Sequence, residues 1–225
     1  MSIYHLKIKL LSDTTFGRGD GVAGLLDQEV EYDPNGFPYL RGRTLKGLLS
    51  EECDNLVAVL PDATRKHWQQ IAADLFGNPG STLETVGKIH VGDACLPGDL
   101  REAVAQQLLK PKNDLKLKPI NILESLTTIR RQTAINSKEG TPDEHSLRSA
   151  RVIIRDLEFT APLYFHTSPT DEMLSLLVAG TWALRRVGSG RNRGRGHVHC
   201  RLFNQGQEIG QDYLQRFGKM EIQAR

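Results

Sequence analysis

Hydrophobic and polar positions alternate at the start of the chain and again near its end. Apolar side chains occupy positions 4, 6, 8 and 10, with one histidine and two lysines between them. This period of two predicts a half-buried β-strand with a basic outer face. Near the other end, an amphipathic helix is predicted from Asp171 to Leu184, with Met173 and Leu176 inward. A last strand is predicted from His197 to Phe203.

Further regular elements are predicted between these two ends. Helices are predicted from near Thr44, from Thr64 to Phe76 and from Leu100 to Leu109, and strands from Lys88 to Val91 and from Val152 to Phe165, with a break at Ala161 and Pro162. Residues 110–119 are predicted as a basic connector, and residues 127–151 as an arginine-rich, protruding hairpin or loop. This order indicates an α+β fold with a ferredoxin-like (RRM-like) antiparallel sheet and helices on one face. We predict a single domain over residues 1–225, with an insertion at about residues 100–151.

Composition narrows the class of protein. With 225 residues, of which 39% are hydrophobic, the chain is long enough to bury a core. Its apolar runs are too short to cross a membrane, and its first strand alternates, so we expect a cytoplasmic protein without a signal peptide. Cys53, Cys95 and Cys200 lie far apart and form no C-x-x-C pair. They are predicted to be buried or half-buried thiols, and neither a disulfide framework nor a zinc site is expected.

Charge is distributed unevenly along the chain. The net charge is only +2, yet residues 173–207 contain no aspartate or glutamate. The same stretch carries six arginines and two histidines. A local cationic surface on a nearly neutral protein indicates a specific site for a polyanion.

A glycine-arginine loop is the strongest motif in this stretch. The residues predicted to bind RNA are Arg185, Arg186, Gly188, Gly190, Arg191, Arg193, Gly194, Arg195 and Gly196. Glycines allow tight turns with exposed amides, and arginines match the geometry of phosphates. The spacing is neither G-x-G-x-x-G nor that of a P-loop, so no nucleotide cofactor is expected. The alternative interpretation is a solvated turn, which six arginines without a neighbouring carboxylate disfavour.

A second basic group lies where the first long helix begins. Arg41, Arg43 and Lys46 surround a helix N-terminus, whose free amides favour an anion. We predict a phosphate site there; a solvated helix start is the alternative. The histidines are scattered and form no H-x-x-H pair, so again no zinc site is expected.

These motifs resemble those of the RAMP superfamily of RNA-binding proteins. The glycine-arginine loop resembles the family's glycine-rich signature between its last helix and last strand. Residues 38–47, Asp74 to Gly77 and Val91 to Ala94 resemble further family landmarks in the same order. The sequence departs from the pattern at Arg43, where the family usually has a serine. The similarity runs from about residue 17 to 200 and covers most of the chain.

Within the family, the chain is similar to the repeated backbone subunit of type III CRISPR effector complexes. The resemblance implies partners: guide RNA, target RNA, further copies or other RAMP subunits, and the large subunit. It places a thumb-like hairpin at Arg130 to Arg151, with Arg130 and Arg131 contacting RNA. It also implies that Asp27 cleaves target RNA. From the chemistry of a carboxylate, we expect Asp27 either to hold a Mg²⁺ cofactor, with RNA oxygens completing the site, or to accept the proton of the attacking hydroxyl. Arg18 is a candidate for stabilising charge at the reacting phosphate.

The sequence leaves alternatives open for the role of Asp27 and for the class of RNA-binding protein. Asp27 lies in turn-rich sequence, where aspartate often serves local backbone bonding. A non-catalytic subunit that holds or caps the guide RNA would share every binding feature. A guide-processing endoribonuclease is disfavoured, because no histidine lies between His5 and His67. A generic RRM-like module is disfavoured by the few aromatic residues on the terminal strands. Asp93, which follows a strand, is expected to be a structural cap.

Overall fold

The computed structural model describes residues 3–78, 86–110, 117–135, 140–141 and 146–222 of the chain. Its strands are β1 (Ile3–Leu10), β2 (Ile89–Val91), β3 (Thr127–Gln132), β4 (Arg148–Ile153), β5 (Glu158–Phe165), β6 (Val198–Asn204) and β7 (Gln207–Ile209). Its α-helices are α1 (Gly42–Ala58), α2 (Asp62–Phe76), α3 (Gly98–Leu108), α4 (Pro119–Leu126), α5 (Asp171–Ala183) and α6 (Gln211–Ile222).

Five of the strands form one antiparallel sheet. Its order is β2-β5-β1-β6-β7, so the first strand of the chain lies at the centre. Leu6 of β1 faces Ala161 of β5 on one side and Leu202 of β6 on the other. The central strand is therefore enclosed by two strands from the last third of the chain. The ferredoxin-like (RRM-like) α+β fold predicted from the sequence is confirmed.

One face of this sheet carries the core. The alternating apolar residues of β1 (Tyr4, Leu6, Ile8 and Leu10) are all buried, as the period of two predicts. Helix α5 packs against β6, and α1, α2 and α6 pack against α5. The side chains between them on β1, Lys7 among them, point to the opposite face, which carries charged residues of β5 and β6.

Helix α5 differs from its prediction. It is buried on all sides from Met173 to Thr181, and is not amphipathic. The reason is helix α6, which was not predicted from the sequence. Together with α1, it covers the outer side of α5. The packing with α1 is close: a Cβ at Gly180 would lie 2.3 Å from the Cys53 Sγ atom.

The predicted break at Ala161 and Pro162 is wrong. Strand β5 runs through both residues, and the chain turns instead at residues 154–157, where Asp156 has a φ of 70°. The Pro162 carbonyl accepts a hydrogen bond from the Gly92 amide (2.8 Å), on the side where β2 ends. In a β-strand, the nitrogen and the carbonyl of one residue point to the same side. The nitrogen of Pro162 therefore faces away from β1, and its missing hydrogen removes no hydrogen bond to β1.

The predicted insertion contains most of α3, then α4, β3 and most of β4. Strands β3 and β4 form a separate two-stranded antiparallel hairpin, with Arg130 opposite Ala150. Helix α4 starts at Pro119, within the region predicted as a connector; a proline in the first turn of a helix removes only an amide that has no partner. Part of the predicted connector, residues 111–116, and of the hairpin, residues 136–139 and 142–145, lies outside the described residues.

Candidate nucleic-acid interface

The glycine-arginine loop (residues 185–196) begins and ends at a closed neck. Arg186 and His197 form an antiparallel bridge there. The Val187 amide donates to the Gly196 carbonyl, and the Val198 amide donates to the Arg185 carbonyl, both at 2.9 Å. The loop is thus an extension of β6 with a fixed base, and its tip is a single turn of 3-10 helix, Arg191–Arg193.

The four glycines of the loop have positive φ angles but two different surroundings. A Cβ at Gly188 would lie 2.4 Å from Thr14 Oγ1, and one at Gly196 would lie 1.9 Å from the Val187 carbonyl oxygen. At Gly194 no atom lies within 4 Å of the corresponding point, and at Gly190 the nearest is a side-chain carbon of Arg195 at 3.5 Å. Gly188 and Gly196 therefore allow close packing at the base, while Gly190 and Gly194 turn the exposed tip.

The segment Asp13–Thr15 fastens this loop to the β3–β4 hairpin. Toward the loop, the Asp13 carbonyl accepts from the Gly196 amide (3.0 Å), and the Thr15 carbonyl accepts from the Ser189 amide (2.8 Å). Toward the hairpin, Thr14 exchanges two backbone hydrogen bonds with Ile153. Both threonine side chains are fully buried and hydrogen-bonded, so the loop and the hairpin are held at a fixed separation.

A cleft opens between the loop and the hairpin. We call it the loop–hairpin cleft; its volume is about 550 Å³. Its lining residues are Gln28, Gln132, Arg148, Gly188, Ser189, Gly190, Arg191, Asn192, Arg193 and Arg195. Four arginines and no carboxylate line it, which gives a cationic groove with exposed loop backbone.

The arginines of the loop do not all point into this cleft. Arg191 also lies 3.4 Å from the Glu51 carboxylate of α1, so the expectation that no carboxylate is nearby is wrong for this residue. Glu51 is distant in sequence and only the packing of α1 brings it close. Arg186 donates to the Arg191 carbonyl and so supports the tip from beneath. Arg185 is exposed at the neck, on another side.

Asp27 is not itself a lining residue of the cleft, but we place it at the rim, because two lining residues are its neighbours: Gln28 follows it in sequence and the charge of Arg148 acts on its carboxyl. The Ser149 amide donates to Asp27 Oδ2 at 2.6 Å, and the Ser149 hydroxyl donates to the same oxygen at 3.3 Å. The hydrogen bond from the amide lowers the pKa of the Asp27 carboxyl below its usual value, and nearby Arg148 contributes. The carboxylate is therefore ionised at neutral pH, exposed, and positioned by the first residues of β4.

The segment that carries Asp27, residues 17–30, is anchored by a buried ion pair. Glu29 accepts from Arg151 Nε at 2.9 and 3.2 Å, and Arg151 also donates to the Thr127 hydroxyl at 3.3 Å. The side chains of Glu29 and Arg151 are 4% and 13% exposed. Glu29 was not among the residues predicted from the sequence, because nothing local connects it to an arginine 122 positions away.

Arg18 is engaged elsewhere. It forms an ion pair with Asp20, with hydrogen bonds of 2.6 and 3.2 Å, and lies 5.9 Å from the Tyr32 ring centre. This pairing raises the pKa of Arg18 and lowers that of Asp20. The structure thus partners Arg18 with Asp20 and shows no contact between Arg18 and Asp27 among the residues it describes.

Protein groups already pair with the amide and one of the basic side chains at the start of α1, where a phosphate site was predicted. The Gly42 amide donates to Asp93 Oδ1 at 2.7 Å, so the prediction of Asp93 as a structural cap is confirmed. Arg41 pairs with the buried Glu31 at 2.7 Å. Arg43 is exposed, and Lys46 is half-buried, which lowers its pKa.

A smaller recess of about 220 Å³ connects this helix start with the loop, since Arg41, Gly188 and Arg191 all line it.

A further recess, which we call the middle recess, lies across the loop from the loop–hairpin cleft and has a volume of about 470 Å³. It is lined by Arg130, Arg155, Arg195 and neighbouring residues of the segment that follows β1. Arg130 donates to Asp13 there at 2.8 Å, while Arg131 is exposed on β3.

The described residues contain no group of three or more histidine, cysteine, aspartate or glutamate side chains able to hold a metal ion. Cys53 and Cys200 are buried and Cys95 is half-buried, as predicted, and all three are free thiols. Burial raises the pKa of Cys200 to about 12.

In the part of the chain that the structure describes, no helix combines the length and apolar character needed to span a membrane.

Comparisons with known proteins fit this geometry. The family model of the RAMP superfamily matches residues 7–199. A chain of the type III-B Cmr-beta complex in its apo state is similar in fold, with a TM-score of 0.64, 14% identity, and coverage of 92% of this chain and 99% of that chain. A chain of the Cmr-beta complex bound to cognate target RNA gives a TM-score of 0.61 and 13% identity, with coverage of 90% and 97%. Curated protein sequences gave no significant match. Because the family model spans most of the chain, from β1 into β6, the protein belongs to the RAMP superfamily.

Proposed function

We propose that this protein is a guide-RNA-binding backbone subunit of a type III CRISPR RNA-targeting complex, and that it cleaves complementary target RNA at Asp27. Family membership and the shared fold with Cmr-beta chains support a subunit of such a complex. Its partners would be guide RNA, target RNA, further copies or other RAMP subunits, and the large subunit.

The observation that carries this proposal is the position of Asp27 at the rim of a cationic cleft. The cleft contains Arg148, Arg191, Arg193 and Arg195, whose guanidinium groups can pair with RNA phosphates. The glycine-rich tip presents backbone amides to the same space. Such contacts hold the RNA backbone without reading its sequence, as a subunit that accepts any guide requires.

Cleavage at this rim needs an ionised group near the reacting ribose. In the proposed reaction, the 2′-oxygen attacks the adjacent phosphorus as the bond from phosphorus to the 5′-oxygen breaks. The 2′-hydroxyl proton leaves to a base, and the 5′-oxygen gains a proton. The Asp27 carboxylate is ionised, exposed and fixed by Ser149, so it can accept or direct that proton.

A Mg²⁺ ion fits this site only in part. The described residues supply one carboxylate at the rim and no cluster of ligands, so RNA oxygens and water would have to complete the coordination. When bound, the ion would neutralise charge at the reacting phosphate. The contribution of this chain would be the Asp27 carboxylate and the neighbouring arginines that bind the phosphate.

The test is cleavage of labelled target RNA by the assembled complex with Mg²⁺, comparing wild type, Asp27→Asn and Asp20→Asn. In the Asp27→Asn variant, the side-chain amide oxygen can still accept from the Ser149 amide, so the segment keeps its geometry while losing the charge. Asp20 lies on the same segment but pairs with Arg18, and so is the matched control. We expect regularly spaced cuts that disappear only with Asp27→Asn, while RNA remains bound.

One observation favours a second candidate, a guide-holding or capping subunit without catalysis. Both hydrogen bonds from Ser149 end on the Asp27 carboxylate, as they would in a purely structural turn. Under this alternative the complex binds target RNA, but no cut depends on Asp27. Persistent cutting by Asp27→Asn would exclude Asp27 as the catalytic residue, whereas RNA binding without cutting by either protein would support the non-catalytic subunit.

A further inference from the structure

A recess on the far side of the loop's neck has no role in the function proposed above. It has a volume of about 320 Å³, and we call it the Trp182 recess. Its polar and aromatic lining residues are Trp182, Arg185, His197, His199, Arg201 and Glu208. It therefore contains one tryptophan ring, two arginines and two histidines, but only one carboxylate.

Trp182 is unusual among the tryptophans of this chain because it is accessible. It is 46% exposed in the last turn of α5, whereas Trp68, the other tryptophan, is 1% exposed in the core. The backbone of Gly210 packs against the indole, since a Cβ at Gly210 would lie 3.2 Å from Trp182 Cζ2. A large aromatic ring held in place yet half exposed is a surface on which a flat ligand can stack.

The charged groups around the ring have distinct environments. Arg201 lies between Glu158 at 3.5 Å and Glu208 at 3.7 Å, so its charge is largely compensated. Arg185 is exposed and, among the described residues, forms no ion pair. Its backbone is fixed by the hydrogen bond from the Val198 amide to its carbonyl, and the residue lines the recess. Arg185 is thus the group best suited to bind a phosphate.

Shared lining residues link the Trp182 recess to the loop–hairpin cleft by way of the middle recess. Arg195 lines both the cleft and the middle recess, and Leu11 lines both the middle recess and the Trp182 recess. The path from Arg148 to Trp182 thus passes around the loop, with at least two arginines in each of its three parts. A single-stranded chain of phosphates is the ligand that such a path fits.

We propose that the Trp182 recess binds a nucleotide of single-stranded RNA that leaves the loop–hairpin cleft, with the base stacked on Trp182 and its phosphate on Arg185. This proposal rests on the RNA-binding function proposed above and adds a site to it. Stacking on an aromatic ring tolerates any base, and a nearby arginine adds a charge contact. The excess of arginine and histidine over carboxylate, together with the lining residues shared with the neighbouring recesses, favours RNA over a protein segment.

The experiment uses the two tryptophans as reporters. The purified full-length protein is titrated with a fluorescein-labelled oligouridylate, and anisotropy and tryptophan emission are followed together. We expect emission to fall with the same midpoint as the rise in anisotropy, because the stacked base quenches Trp182. In Trp182→Phe, only buried Trp68 emits, and its signal should stay constant as RNA binds.

Affinity gives a second readout. Trp182→Ala should weaken RNA binding at least about fivefold, because stacking on one aromatic ring contributes on the order of 1 kcal/mol or more. Arg185→Ala should weaken it as well, while Arg216→Ala on α6, outside the recess, should leave it unchanged.

The outcomes separate the two proposals. RNA binding with unchanged Trp182 emission would overturn the Trp182 site and leave the cleft intact. A flat anisotropy curve would overturn both. Quenching by a partner subunit in the absence of RNA, with none by RNA, would assign the recess to a protein contact and so contradict the proposal.

Discussion

Glu29 and Arg151 form a buried ion pair in which Arg151 Nε lies 2.9 Å from Glu29 Oε1. One partner comes from the segment that carries Asp27, and the other from strand β4 of the hairpin. Ser149, which hydrogen-bonds to Asp27, lies two residues before Arg151 on the same strand. The geometry of the candidate site is therefore fixed by contacts between segments that are far apart in sequence.

Replacing Glu29 should destabilise the protein strongly. Glu29→Gln leaves the Arg151 charge buried without its partner, which costs about 3–5 kcal/mol of unfolding free energy. The matched control is Asp171→Asn, which removes an ion pair with Arg216 on an exposed surface. That change should cost no more than about 1 kcal/mol. Urea denaturation of both variants checks the prediction, and equal losses would contradict it.

The loop arginines should determine the salt dependence of RNA binding. Replacing Arg191, Arg193 and Arg195 with alanine removes up to three phosphate contacts from the loop–hairpin cleft. The slope of log affinity against log salt should decrease by about 2, at ~0.7 per phosphate on a single strand.

A charge-matched control is available on the helical side of the protein. Arg65, Lys66 and Arg216 lie on α2 and α6, and their replacement removes the same positive charge. This triple variant should keep the wild-type slope. Equal slopes for the two triple variants would show that net charge, and not the cleft, governs binding.

Two glycines of the loop should respond differently to the same substitution. Gly194 and Gly196 have φ angles of 78° and 70°, so alanine has a similar conformational cost of about 1–2 kcal/mol at each. Only Gly196→Ala also places a Cβ 1.9 Å from the Val187 carbonyl oxygen, a clash that backbone movement must relieve. We expect Gly196→Ala to cost at least about 2 kcal/mol more than Gly194→Ala in unfolding experiments. Similar losses would mean that the neck is not tightly packed.

Asp27 should titrate below its ordinary range. An unperturbed aspartate has a pKa of about 3.9, and the hydrogen bond from the Ser149 amide lowers the pKa in the folded state. The stability from this contact is therefore present above the unfolded-state pKa and is lost as the pH falls through the lower folded-state pKa. The ¹³C chemical shift of the Asp27 carboxyl, followed against pH, measures the midpoint.

Ser149→Ala is the informative variant for this titration. It removes the hydroxyl but keeps the amide, which is the larger cause of the shift. The midpoint should rise only in part and stay below that of an unperturbed aspartate. A wild-type midpoint at or above the ordinary value would contradict the observed geometry.

Several elements could be predicted from the sequence because their causes are local. The period of two in β1 and the helical spacing in α1 and α2 follow from which side chains face the core. The glycine-arginine loop was also predicted, since glycines with positive φ and closely spaced arginines act within one short segment. Helices α4 and α6 were missed, as was the continuity of β5 through Pro162. In each case a partner distant in sequence determines whether the local pattern forms an element.

The α+β class, the half-buried first strand and the cationic loop follow from the sequence alone, because periodicity, glycine geometry and charge act over a few residues. Asp27 was singled out by the resemblance to RAMP proteins. Which distant charges meet depends instead on how the chain packs. Packing brings Glu51 to Arg191 and encloses Glu29 with Arg151. Such pairs form when folding brings side chains that are distant in sequence within a few ångströms, and for Glu29 and Arg151 it also removes water. Packing is also what brings Trp182, which no local pattern singles out, into one recess with Arg185 and Arg201.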